Sequence, residues 1–92
     1  MEFEWDRRKA KYNLRMHGVS FEEASTVFDD LLADFYKDPD HSVHEKRFLT
    51  IGTSARGRLL YVAFADRTLR IRIISARLLT KREKKLYEQE NR

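Results

Sequence analysis

The sequence predicts an α+β domain with two N-terminal helices, an antiparallel sheet of three to four strands and a C-terminal helix. Three observations carry that expectation. Two Ser/Thr-x-x-Glu signatures, Ser20 with Glu23 and Thr80 with Glu83, each open a segment of helical apolar spacing. Between them, three stretches alternate in period two. The turns joining those stretches are short, which makes neighbouring strands antiparallel. At 92 residues the chain should bury about 65% of its unfolded surface, enough for one core, so residues 1–92 are expected to form a single domain.

Taken in order, Phe3 and Trp5 alternate with Glu2 and Glu4, the pattern of a short strand or extended lead-in. Asp6 is placed to cap a first helix running to about His17, in a stretch without Gly or Pro. Ala10, Asn13, Leu14 and His17 share one face of it, and Gly18 suits its left-handed end. In Ser20-Phe21-Glu22-Glu23 the hydroxyl and the carboxylate are expected to satisfy each other's backbone donors, with Val19 stapling onto Ala24. Phe21, Ala24, Val27, Phe28 and Leu31 then give a second helix its apolar face, which fades over residues 30–32. Residues 32–36 read as a strand and Asp38-Pro39-Asp40 as a turn. Strands follow at 47–52, 58–65 and 70–76, with turns at 54–57 and 66–68. The box at Thr80 opens the last helix, through Leu86 and Tyr87 to about Asn91.

Composition narrows the function. Apolar residues at 41% and aromatics at 12% exclude a disordered chain. No apolar run approaches the roughly 18 residues of a membrane span, and the acidic, aromatic start is unlike a signal peptide, so a soluble, cytoplasmic protein without membrane contact is expected. Absence of cysteine removes disulfides, thiolate metal sites and thiol nucleophiles. The net charge of +4 is unevenly divided. Residues 1–21 carry five basic and three acidic groups, residues 22–45 one against eight, and residues 46–92 thirteen against four. The last segment, at +9, suits a polyanion such as RNA or DNA, and the middle one, at −7, suits solvent or a basic partner.

Three constellations bear on chemistry. His41, His44, Asp38, Asp40 and Glu45 cluster within eight residues, but their spacing matches neither a zincin helix nor an EF-hand loop, so no metal or other cofactor is expected. A His or Glu there can still move a proton at the lip of a basic sheet. In Arg70-Ile71-Arg72-Ile73-Ile74-Ser75-Ala76-Arg77, strict alternation sends Arg70 and Arg72 to one face and Ser75 and Arg77 to the other. Arg72, between two isoleucines, is the candidate phosphate clamp, because a guanidinium in a central strand must meet a carboxylate, a phosphate or water. Arg70 and Arg77 equally fit solvent-reaching edge positions. Lys81 and Arg82 stand in the first turn of the last helix, where the dipole disfavours cations and a phosphate would use them. Tyr87 lies one turn beyond Glu83, and His17 ends the first helix, where a cation suits the dipole.

These residues resemble a known pattern. Asp6, Lys9 and Asn13, His17-Gly18-Val19-Ser20-Phe21-Glu22-Glu23-Ala24, Val27-Phe28-Asp29-Asp30, Glu45-x-Arg47, Gly52, Arg72-Ile73-Ile74-Ser75-Ala76-Arg77 and Glu83 with Tyr87 are similar, in order and over nearly the whole chain, to the BrnT family of type II toxin-antitoxin toxins. Met16 departs from the family's usual Lys or Arg, and Leu78-Leu79 from a more polar pair. The resemblance implies a RelE-like fold and a bacterial ribonuclease toxin. It also implies a hetero-oligomer with a BrnA-like antitoxin whose ribbon-helix-helix domain, and not the toxin, meets operator DNA. Metal-free RNA cleavage needs a base, an acid and cationic clamps. The candidate catalytic residues are accordingly Glu45, Arg47, Arg72, Arg77 and Tyr87, with Lys9, His17, His41, Arg58, Ser75, Lys81 and Arg82 as substrate contacts. Glu45 or a histidine takes the first proton in this scheme, and Tyr87 or a histidine supplies the last. The rival expectation is a basic module that holds RNA or DNA by its phosphates without cutting it.

Overall fold

The helix starts follow from their caps. In the computed structural model, which describes residues 1–38 and 45–90, Asp6 Oδ1 accepts from the backbone N–H groups of Arg8 and Lys9 at 2.8 and 3.1 Å, opening α1 (Arg7–His17). Gly18 closes it at φ +66°, a conformation that costs glycine nothing. Ser20 Oγ caps α2 (Phe21–Thr26), which tightens into a single 3₁₀ turn at Val27–Asp29. Thr80 and Glu83 form the full reciprocal box at the start of α3 (Lys81–Glu90), with bonds of 2.9 and 3.1 Å.

The strands are β1 (Glu2–Glu4), β2 (Asp34–Lys37), β3 (Arg47–Thr53), β4 (Leu59–Asp66) and β5 (Arg70–Leu78). They form one five-stranded sheet in the order β1-β5-β4-β3-β2. Every pairing is antiparallel except that of β1 with β5. The expected three to four strands are thus exceeded, because the lead-in adds itself as a parallel edge strand. Its register sets Glu2 opposite Arg70 and Glu4 opposite Arg72, a charge-matched ladder between segments at opposite ends of the chain. The turn at Asp38-Pro39-Asp40, together with His41 and His44, lies outside the described residues apart from Asp38 itself.

One face of the sheet carries α1 and α2. Val19, Phe21, Ala24 and Val27 meet Leu60, Val62, Phe64, Ile73 and Ala76 there in a buried cluster. Phe28 spans the seam, with ring centroids 5.2 Å from Phe3, 5.9 Å from Phe35 and 4.9 Å from Phe64. Gly52 is needed for this closeness, since a Cβ there would stand 2.8 Å from Ala33 Cβ and 2.9 Å from Val27 Cγ1. Leu31, assigned by periodicity to the same apolar face, is 99% exposed instead, because the 3₁₀ turn ends at Asp29 and the chain leaves the core there. On α1 the buried member of the expected face is Asn13, while Leu14 stays 53% exposed.

Two buried polar groups do work that spacing alone does not announce. Asn13 donates to the carbonyls of Ala76 (2.8 Å) and Val19 (2.9 Å) and accepts from the Ala76 N–H (3.0 Å). Its amide therefore completes the β5 edge beyond the reach of β1, as a neighbouring strand would. Glu23 does not return to the backbone of Ser20 as the capping-box reading expects. Its carboxylate accepts instead from Arg58, bidentately, and from Ser54 Oγ at 2.7 Å. The guanidinium it meets holds its pKa below the ordinary glutamate value, against the opposing pull of burial. Among the described residues no helix is long and apolar enough to cross a membrane.

Candidate active site

The face of the sheet opposite α1 and α2 is organised by one irregularity. Phe64 pairs with Ile73 and Ala63 with Ser75, so Ile74 is an extra residue in β5 with no partner on β4. Strict alternation, expected from the sequence, would divide Arg72 from Ser75 and Arg77. The bulge shifts the phase by one residue and brings all three to the same face. Across the sheet the register lines up Leu49, Ala63 and Ser75, then Tyr61 with Arg77, and at the other end Arg47, Ala65 and Arg72.

A cavity of about 320 Å³ opens on this face. His17, Asp38, Arg47, Tyr61, Ser75 and Arg77 supply its polar lining, over a floor that includes Leu49 and Ala63. His17 reaches it because Asn13, one turn earlier on α1, is tied to the β5 edge at Ala76. Arg47 enters as the first residue of β3, and its buried Nε has no hydrogen-bond partner among the described residues. Such an atom is costly unless a ligand or water completes it.

Arg77 is held on three sides. Its guanidinium carbon lies 4.6 Å from the centre of the Tyr61 ring, and Nη1 and Nη2 form a fork on Glu83 at 2.7 and 2.9 Å. Nη1 also donates to the Leu78 carbonyl at 3.2 Å. These bonds occupy three donors and leave Nε–H and one Nη2–H without a protein acceptor among the described residues. Arg77 in turn holds the Glu83 carboxyl at about 2, helped by the Thr80 N–H. That carboxyl ordinarily titrates at 4.5, so its stabilisation is complete above that value and is mostly lost as the pH falls towards about 2. With the two side chains 39% and 32% exposed, solvent screening limits the effect to about 1 kcal/mol. Glu83→Gln is expected to lower stability by that amount at pH 7 and by only a small part of it at pH 2, as read from urea unfolding at both values.

The remaining candidates stand elsewhere. Arg72 donates to Glu4 Oε2 at 2.8 Å and does not line the cavity, so the carboxylate, of the three partners open to a strand arginine, is the one it meets. Glu45 faces Arg67 at 3.5 Å. Tyr87 donates to the Leu32 carbonyl at 2.9 Å, and burial raises its pKa, with Asp30 and Asp34 adding to the rise. Arg58 is engaged by Glu23 and by the Gly18 carbonyl. Lys9, Lys81 and Arg82 are exposed and line no part of the cavity. His41 lies outside the described residues. Of the candidates, the cavity gathers His17, Arg47, Ser75 and Arg77. It adds Tyr61, which sequence reasoning did not single out, and Asp38, which entered there only as part of a cluster without metal-binding spacing. Tyr61 becomes visible only through the β4–β5 register that sets it opposite Arg77.

The fold and the family have known relatives. None of the curated proteins matches the chain. Among solved structures, the ribonuclease toxin BrnT of Brucella abortus superposes with a TM-score of 0.67 over 88% of this chain and 99% of its own, at 23% identity. That likeness shows a shared fold. A family model described as "Ribonuclease toxin, BrnT, of type II toxin-antitoxin system" matches residues 5–83, from Trp5, just beyond β1, to the glutamate that holds Arg77. By that match the chain belongs to the BrnT family of ribonuclease toxins of type II toxin-antitoxin systems.

Proposed function

We propose that this protein is a metal-independent endoribonuclease that cuts RNA through its own 2′-hydroxyl, and that the cavity on the open face of the sheet is its active site. The observation that carries the reading is the convergence of His17, Arg47, Ser75 and Arg77 on that cavity. In the reaction the 2′-oxygen attacks the adjacent phosphorus and the P–O5′ bond breaks, leaving a 2′,3′-cyclic phosphate and a 5′-hydroxyl. Arg47 and Arg77 bind the non-bridging oxygens and neutralise charge that builds on them. Ser75 offers a hydroxyl to the same phosphate. The Asp38 carboxylate takes the 2′-hydroxyl proton, and His17, as imidazolium, gives one to the departing O5′. Arg72 and Glu45, neither of which lines the cavity, take no part in this scheme, and Tyr87 and Arg58 act on the fold.

In the cell this activity lowers translation in the cytoplasm, and a BrnA-like antitoxin with a ribbon-helix-helix domain neutralises it and carries the pair to operator DNA. The test is cleavage of single-stranded RNA in EDTA by the antitoxin-free chain. Cyclic-phosphate products are expected, whereas a salt-sensitive shift of intact RNA would mark a non-catalytic binding module. His17→Ala is expected to slow cleavage by about 10²- to 10⁴-fold, the usual contribution of a general acid. It should cleave a substrate with a p-nitrophenolate leaving group at nearly the wild-type rate, because that group departs without a proton. Equal slowing on both substrates would remove His17 from the acid's role.

A further inference from the structure

The most conspicuous apolar surface lies away from the catalytic chemistry. In the turn after the 3₁₀ helix and along β2, four large side chains stand open within six residues: Leu31 at 99%, Leu32 at 72%, Phe35 at 53% and Tyr36 at 42% exposure. β2 is also an outer strand of the sheet, so its backbone groups on the side away from β3 have no strand to pair with among the described residues. Edges of this kind are normally kept short, charged or covered. This one is short, but Lys37 is its single cation, and the segment 29–38 that holds it carries Asp29, Asp30, Asp34 and Asp38.

We infer that the β2 edge is the anchoring surface for the antitoxin, which docks there through an extended segment that carries apolar side chains on both of its faces together with Lys or Arg. The inference rests on the toxin-antitoxin reading and adds to it a place and a chemistry. Charge selects the occupant. RNA is repelled by the four aspartates, and a second copy of this chain would bring together two segments that each hold four aspartates against one lysine over residues 29–38. A strand carrying cations meets those aspartates favourably, its backbone completes the open edge, and its apolar side chains cover Leu31, Leu32, Phe35 and Tyr36. Aromatic side chains at the middle of such a patch are typical anchors. The placement also links anchoring to inhibition: β2 ends at Lys37, and the next residue, Asp38, lines the cavity. A strand added beside β2 therefore leads one of its ends to the cavity mouth. This differs from the arrangement that charge alone suggests, in which an acidic antitoxin merely covers the basic half of the chain.

The experiment titrates the cognate antitoxin into the full chain by calorimetry, with hydrogen exchange measured on the free and bound forms. Leu31→Ser combined with Leu32→Ser removes two side chains that the core does not use. The double variant is expected to bind at least tenfold more weakly while cutting RNA at the wild-type rate. Amides of residues 34–37 are expected to exchange more slowly in the wild-type complex. Affinity within twofold of wild type, together with unchanged exchange at 34–37, overturns the inference. So does protection of that edge by RNA alone, or self-association of the free chain that the double variant abolishes. An antitoxin that fails to bind the wild-type chain also overturns it, while RNA cleavage by the chain would still stand.

Discussion

Arg47→Ala is expected to lower the rate of RNA cleavage by about 10²- to 10³-fold, the usual cost of removing one preorganised donor from a site where negative charge develops. The expectation rests on an asymmetry in the cavity. Arg77 already shares its guanidinium with Glu83 and Tyr61, whereas the buried Nε of Arg47 has no partner at all among the described residues. A side chain that serves the fold is normally satisfied by it, and among the described residues this one keeps an open donor in a residue that lines the cavity. The variant should therefore keep its melting temperature or gain slightly, since it loses an unsatisfied buried atom. Arg47→Lys should recover little, because a point charge cannot reproduce the planar fork. Single-turnover cleavage and thermal melting on the same preparations check both halves. Cleavage within threefold of wild type would remove Arg47 from the reaction.

The second large effect is on stability. Arg58→Ala is expected to destabilise the protein markedly, because it takes the bidentate counter-ion from the Glu23 carboxylate. Glu23 has 3% of its side chain exposed, and Arg58 closes it off with 28%. Ser54 Oγ at 2.7 Å and the more distant Arg56 at 3.5 Å do not replace a bidentate guanidinium. Replacing both partners with methionine should recover most of the loss, because no charge is then stranded. Urea unfolding of the two variants measures this. Cleavage per folded molecule is expected to stay at the wild-type level in both, which separates a residue that holds α2 to β4 from one that holds RNA.

These two arginines show how far residue spacing reaches. Arg47 and Arg58 look alike in the sequence, each a cation at the start of a strand in the basic half of the chain. What separates them is a glutamate on α2, and the reading of Glu23 as half of a capping box conceals that partner. Arg72 is a similar case. Complementary charges at Glu2 and Glu4 and at Arg70 and Arg72 were present as a signal, but a parallel pairing between chain segments this far apart has no local signature. The lead-in could therefore be read as extended and still not be placed beside β5.

What the sequence determined by itself is local. Asp6, Ser20 and Thr80 start the helices, Gly18 ends the first, and alternating β-branched residues lay out the later strands, because each of these depends on neighbours within about one turn or one hairpin. The tertiary structure alone decided which cations share a cavity. One unpaired residue, Ile74, rephases β5 so that Arg77 and Ser75 face the same way as Arg47. Asn13, buried against Ala76, brings His17 to meet them. A side-chain direction that alternates at every residue reverses with a single insertion, and nothing nearby in the chain marks where that insertion falls.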